Sequence, residues 1–384
     1  MKLLIYSSSF FPAIGGTERV TLDLARGIAE WPRNEANGES FDVTVATETA
    51  GVTAEDEGLP FSIVRGPSLP RLFSLMRAAD VIHLAGPAMA PLALGLMAAR
   101  PVVVEHHGFQ TVCPNGQYFY APGRKLCDGY YMSGKLGKCV TCNSGDAGAL
   151  ASFKLLFSTP FRRWLSNRAA VNITPTDWLA SVLKLHRMKT VCHGILPLGE
   201  MRNTKAPVHT FAFQGRLVST KGASVLIDAA MQLQKRGAKF AIKIIGDGPE
   251  RERLTKQAQP LGSAVEFLGA VPDQRLAEIY SEVSVVVVAS LAGEVFGLVA
   301  AENMWRGKAT IVSDLGSLKE VVGETAIVVP AGDASALADS MYRAMEEPCR
   351  VSSMGKAARE RAAKIFDVEA MIRSHISIYR ECVQ

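Results

Sequence analysis

The chain has 384 residues, 48% hydrophobic and 21% charged, which is enough apolar material for two cores rather than one. A formal net charge of +5 favours anionic small molecules or an anionic surface and is too small for a nucleic-acid binder. Met1–Tyr6 is too short for a secretory leader, and Leu84–Ala99 is too short and too broken by Gly86, Pro87, Pro91 and Gly95 to span a bilayer, so a soluble cytoplasmic protein is expected.

In chain order, a first strand is predicted at Leu3–Tyr6 and a first helix at Glu18–Glu30, where Val20, Leu24 and Ile28 share a face. Strands follow at Val43–Ala46, Val81–Leu84, Val102–Glu105 and Val171–Thr174. A second alternation has strands at Thr210–Gly215, Phe240–Gly246, Val265–Leu268, Val285–Ala289, Ala309–Ser313 and Ile327–Val329. Helices fit between these at Ser224–Arg236, Glu250–Gln259, Gln274–Ser281, Leu298–Arg306 and Ser317–Val322. Strand–helix alternation of this kind builds parallel sheets with crossover helices.

The expected fold class is therefore α/β, with two Rossmann-like doubly wound domains. The first covers 1–198, with a cysteine-rich insertion at 109–148, and the second covers 206–366. Leu196–Gly199 through Lys205–Pro207 has linker chemistry, and the terminal helix in 367–384 is expected to return to the first domain. In doubly wound sheets, ligands bind outside the carboxyl ends of the strands, here in a cleft that the two domains would face.

The chemistry-bearing residues fall at such strand ends. Glu294 lies in the loop after Val285–Ala289, and Glu302 sits about a turn into the helix that starts near Gly297. Amides around Phe296, Gly297 and Leu298 would face an anion there. A bare Glu pair at this spacing fits a solvated helix face as well. The turn Gly215–Arg216–Leu217 to Lys221–Gly222 shifts the balance, since a planar fork and a point charge at one strand end suit a diphosphate. Gly246 and Val271 lie in two further strand-end loops that could approach a nucleotide base, or simply turn the chain. Gly15 and Gly16 precede the first helix without the spacing of a dinucleotide fingerprint.

Taken in order, Phe11–Glu18, Gly215–Gly222, Gly246–Pro249, Glu294–Glu302 and Gly316–Val322 resemble glycosyltransferase family 4, of the GT-B fold, over essentially the whole chain. The resemblance implies a retaining enzyme that uses a nucleotide sugar, UDP by default, and needs no metal for transfer. It implies that Glu302 binds the ribose, Glu294 the donor sugar, and Arg216 and Lys221 the diphosphate, helped by amides at Gly297 and at Gly15–Gly16. It also implies that His107, which follows Glu105 and His106, lies by the donor sugar. The acceptor would be a glycan or a lipid-linked saccharide. Ala289–Ser290, Asn303 and Ser317 depart from the usual pattern and leave donor specificity open. A nucleotide-sugar 2-epimerase or a non-catalytic binding module on the same fold are the competing classes.

Two features stand outside this scheme. Cys113, Cys127, Cys139 and Cys142 fall in one core-poor loop and fit either a tetrahedral structural zinc or four reduced thiols. Lys154, Arg162, Arg163 and Arg168 flank Phe153, Leu156, Phe157, Phe161, Trp164 and Leu165, forming either a helix packed on the sheet or a basic amphipathic face at the inner membrane surface.

Overall fold

The structure, a computed structural model, describes residues 1–13, 15–31, 40–51, 54–198 and 209–384. Within these the chain forms two units. The first comprises Met1–Tyr118, Gly129–Ile195 and Phe366–Gln384, and the second Phe119–Asp128 and Leu196–Ile365. Gly199 and Lys205–Pro207 of the expected linker lie outside the described residues.

In chain order come β1 (Lys2–Ser7), α1 (Gly16–Ala29), β2 (Asp42–Thr47), β3 (Ser62–Arg65), α2 (Leu69–Ala78), β4 (Val81–Ala85), α3 (Met89–Met97) and β5 (Val102–Glu105). The hairpin β6 (Phe119–Tyr120) and β7 (Lys125–Leu126) follows, then α4 (Leu136–Ser166), β8 (Val171–Thr174), α5 (Asp177–Leu183) and β9 (Met188–Thr190). The first unit's sheet is parallel throughout, in the order β3-β2-β1-β4-β5-β8-β9. Pro91 sits in the first turn of α3, where no intrahelical acceptor is available for an N–H.

The second unit carries β10 (His209–Gln214), α6 (Ala223–Lys235), β11 (Phe240–Ile245), α7 (Arg251–Ala258), β12 (Val265–Gly269), α8 (Asp273–Ser281) and β13 (Val285–Val288). It continues with α9 (Leu298–Trp305), β14 (Ala309–Ser313), α10 (Ser317–Val322), β15 (Ile327–Val329), α11 (Ala334–Glu346) and α12 (Pro348–Ile365). Its parallel sheet runs β12-β11-β10-β13-β14-β15. All four valines of β13 are buried, as expected of a strand covered on both faces. Ile244 and Ile311 are fully buried in this core, where truncation to Ala typically costs about 2–5 kcal/mol.

The last helix, α13 (Val368–Val383), belongs to the first unit. Asp367 caps it by accepting from the amides of Glu369 and Ala370, and Ile372 fills the space over Gly27 of α1.

The insertion at 109–148 differs from expectation in two ways. Phe119–Asp128 groups with the second unit, where Phe119 joins the core. From Leu136 onward the chain is helical rather than irregular, because Lys138, Cys139 and Cys142 tolerate a helix that the later apolar positions stabilise.

Strand order reverses between β1 and β4 in the first sheet and between β10 and β13 in the second. These are the topological switch points at which doubly wound sheets bind ligands.

Candidate functional site

At the second switch point, the turn after β10 and the loop after β13 are joined through their backbones. The Leu291 amide donates to the Thr220 carbonyl at 2.7 Å. Gly222 adopts φ +71, and a Cβ there would stand 1.8 Å from the Ala289 carbonyl oxygen, so only glycine permits the approach. Beside this joint, Lys221 Nζ donates to Glu294 Oε1 at 2.7 Å, and Ser290 Oγ donates to the same oxygen at 2.5 Å. Glu294 is 15% exposed and Lys221 40%. Burial pushes the Glu294 carboxyl up, but the Lys221 charge and the hydrogen bonds from Lys221 and Ser290 outweigh it and hold the group below its ordinary 4.5.

Arg216 is exposed on the same turn. Phe296 is buried, Gly297 caps α9 in the left-handed region against Leu318, and Leu298 opens the helix. The first amides of α9 have no intrahelical acceptor and carry the positive end of its dipole. Arg216, Lys221, Glu294 and Phe296–Leu298 thus occupy two loops at the carboxyl ends of the neighbouring strands β10 and β13, an arrangement suited to an anion.

Glu302 does not lie on a solvated helix face. It is 8% exposed, with Oε2 3.8 Å from Nη1 of buried Arg306, whose guanidinium stands 4.8 Å over the Tyr280 ring. Gly246 and Gly248 have a structural reason to be glycine, because a Cβ at either would meet the backbone of Gly215 or Leu217 within 2.5 Å. The Leu217 amide donates to the Asp247 carbonyl at 2.9 Å, so these two loops brace each other. Val271 packs on the cluster around Tyr280 and Ile279.

In the first unit, Gly15 is the N-cap of α1 and Gly16 its first residue, and both are exposed. His106 is fully buried, and its Nε2 donates to Asn172 Oδ1 at 2.8 Å. Burial, only partly offset by this hydrogen bond, lowers its pKa to about 4. The structural reading therefore fits His106. His107 stacks on His193 with ring centroids 5.3 Å apart, and its Nε2 lies 3.9 Å from Glu105 Oε2. Glu105 is itself surrounded by His83, His193 and His375.

The four insertion cysteines do not gather as a zinc site requires. Cys127 falls in the second unit and the others in the first, and among the described residues no three of their sulfurs lie within 4.8 Å of one another. Cys113 and Cys142 are instead linked through Asn115, at 3.0 and 3.8 Å. A tetrahedral centre of four thiolates does not fit these positions.

No described helix is long and apolar enough to cross a membrane. On α4, however, Phe153, Phe157, Phe161 and Trp164 are 51–68% exposed along one stripe, while Ser152, Leu156, Thr159 and Ser166 are buried.

Sequence reasoning missed Ser290, Arg306, His83, His193 and His375. A serine four residues before a carboxylate carries no signal by itself. The histidines lie on β4, before the second unit and on α13, and only the fold gathers them around Glu105.

Comparison with known proteins agrees with this geometry. Residues 202–361 match the family model described as Glycosyl transferases group 1. The phosphatidyl-myo-inositol mannosyltransferase of Mycobacterium leprae is 37% identical over 135 residues, 34% of this chain and 36% of that protein. The curated relatives are matched over about two fifths of their length. Sucrose-phosphate synthase from Thermosynechococcus elongatus superposes with a TM-score of 0.74 at 19% identity, covering 99% of this chain and 98% of that one. Anabaena HepE, solved in complex with UDP, gives 0.72 at 18% identity, covering 99% and 100%. The chain has the GT-B fold. The match to the group 1 model falls within its second unit.

Proposed function

We propose that the protein transfers a sugar, with retention of configuration, from a nucleoside diphosphate sugar to a glycan or lipid-linked saccharide. The observation that carries this reading is the Lys221–Glu294–Ser290 cluster beside the start of α9. Breaking the sugar–phosphate bond leaves negative charge on the diphosphate and an oxocarbenium-like sugar. Cations and amides fixed in advance stabilise that change without reorganising.

Glu294 holds Lys221 in place before the donor arrives. Lys221 then divides its three donors between that carboxylate and the phosphate. Arg216, exposed on the same turn, adds a second cation. Glu302 accepts from the ribose hydroxyls, and His107 hydrogen-bonds the donor sugar, as the family resemblance implies. The UDP and UDP-glucose complexes of HepE support a uridine nucleotide here. A thermal-shift panel of UDP-, GDP- and ADP-sugars tests the reading. A ligand at ~100 times its Kd adds roughly 2.7 kcal/mol, so the matching donor raises Tm clearly, and silence across the panel refutes donor binding.

The exposed aromatic stripe of α4 favours an anionic lipid surface as the place where the acceptor is met. From Phe153 to Arg168 this segment has no acidic residue; Lys154 and Arg168 are exposed beside the stripe, while Arg162 and Arg163 donate to the backbone carbonyls of Gln110, Leu183 and Lys184. Aromatic side chains flanked by cations suit the headgroup boundary. Co-sedimentation with phosphatidylglycerol vesicles but not with phosphatidylcholine vesicles is the expected result. Pelleting with neither would leave the stripe to a protein partner.

A further inference from the structure

Glu105 is buried to 1% exposure, and among the described residues its ion-pair contacts are all to histidines, with no Lys or Arg among them. A buried carboxylate without a compensating cation is costly. Oε2 faces His83 Nε2 at 3.2 Å, and His83 Nδ1 pairs with the hydroxyl of Tyr379 at 2.9 Å. With the tyrosine donating to Nδ1, His83 carries its proton on Nε2, the nitrogen that faces Oε2. Oε1 then stands 3.5 Å from His193 Nδ1 and has no hydrogen-bond partner among the described residues; the same holds for buried His107 Nε2.

We propose that Glu105, His107 and His193 form a binding site for a divalent transition-metal ion of the zinc class. Their three ligand atoms lie within 4.8 Å of one another. Ligands about 2.1 Å from a tetrahedral zinc stand about 3.4 Å apart, so small side-chain shifts close the site. Two imidazoles and one carboxylate select zinc-like ions over magnesium or calcium, which prefer all-oxygen shells. The His83–Tyr379 pair is the outer support that metal-bound carboxylates and imidazoles commonly have. A +2 ion supplies the charge that Glu105 lacks. This inference rests on the geometry of the first unit and shares His107 with the donor reading; the variants that test it, at Glu105 and His193, leave His107 in place.

The test uses the tag-free full chain after chelator treatment, titrated calorimetrically with Zn2+ and spectroscopically with Co2+. The expected result is one ion per chain, no heat with Mg2+, and a visible cobalt d–d band without a thiolate charge-transfer band. Glu105→Gln and His193→Gln should each weaken Zn2+ binding at least about tenfold, the loss that disturbing even an outer support produces. Cys139→Ser/Cys142→Ser should leave it unchanged. If Glu105→Gln does not fold, His193→Gln carries the test, with circular dichroism as the control for folding. Absence of binding, or binding that survives His193→Gln and vanishes in the cysteine variant, overturns the proposal.

Discussion

Glu105 ends β5 in the first unit and Glu294 follows β13 in the second, yet the two carboxylates have opposite surroundings. Glu294 is partly exposed and shares one oxygen between a lysine and a serine. Glu105 is enclosed by four imidazoles and a tyrosine that acts through one of them. Glu294 and Lys221 thus form a charge pair that an incoming anion can enter. Imidazoles change charge or accept a metal, so the state of Glu105 depends on what the cluster binds. The second unit thus offers a preset electrostatic site and the first a conditional one.

Removing the fixed cation should have the largest effect. Lys221→Ala is expected to cut transfer about a hundredfold or more, the usual loss when one preorganised charge-stabilising group goes, with Arg216→Ala following the same direction. Steady-state kinetics with folding verified by circular dichroism checks this. Near-wild-type turnover in both variants would remove the electrostatic half of the comparison.

A comparable change is expected at Glu302. Glu302→Gln should weaken binding of the nucleotide product by roughly 1.5–3 kcal/mol, the usual size for a hydrogen bond to a charged group. Because Glu302 is buried beside Arg306, the variant should also melt earlier without ligand. Wild type should prefer a ribose over a 2′-deoxyribose nucleotide and the variant should not. Equal affinity of wild type for the two sugars would detach Glu302 from the nucleotide.

How much of this was legible in the sequence follows from the range of each interaction. The valines of β13, the Gly215–Gly222 turn and the Leu298 helix start are local patterns, and their strands and helices fall within a residue or two of expectation. Glu294 and Lys221 were both marked as ligands of a donor, but their contact with each other, across 73 residues, was not. Gly246 was read either as an approach to a base or as a simple turn, and only the fold shows that the Gly215 backbone requires glycine there. Of the Glu105 cluster only the run Glu105–His107 was visible, because His83 and Tyr379, 296 residues apart, meet only once α13 joins the first unit. The α4 stripe shows a different limit. Its composition was plain, but periodicity alone does not say which face a helix exposes.

A smaller effect should separate the two carboxylates by pH. The Glu294 pKa lies below its unfolded value, so its contribution to stability is present above about pH 4.5 and is lost as pH falls through the folded pKa. The Tm difference between wild type and Glu294→Gln should therefore be largest near neutrality and shrink below about pH 4.5. A difference that stays constant across that range would show that Lys221 does not hold the carboxylate ionised.

The central claim is that the paired loops at the β10–β13 switch point hold a diphosphate. Calorimetric titration of wild type and Lys221→Ala with UDP and with uridine tests it directly. The account predicts that wild type binds UDP at least about tenfold more tightly than uridine, consistent with one or more charge-assisted hydrogen bonds. Lys221→Ala should lose most of that preference while its uridine affinity holds. Equal wild-type affinity for UDP and uridine, or a preference that survives loss of Lys221, would contradict it.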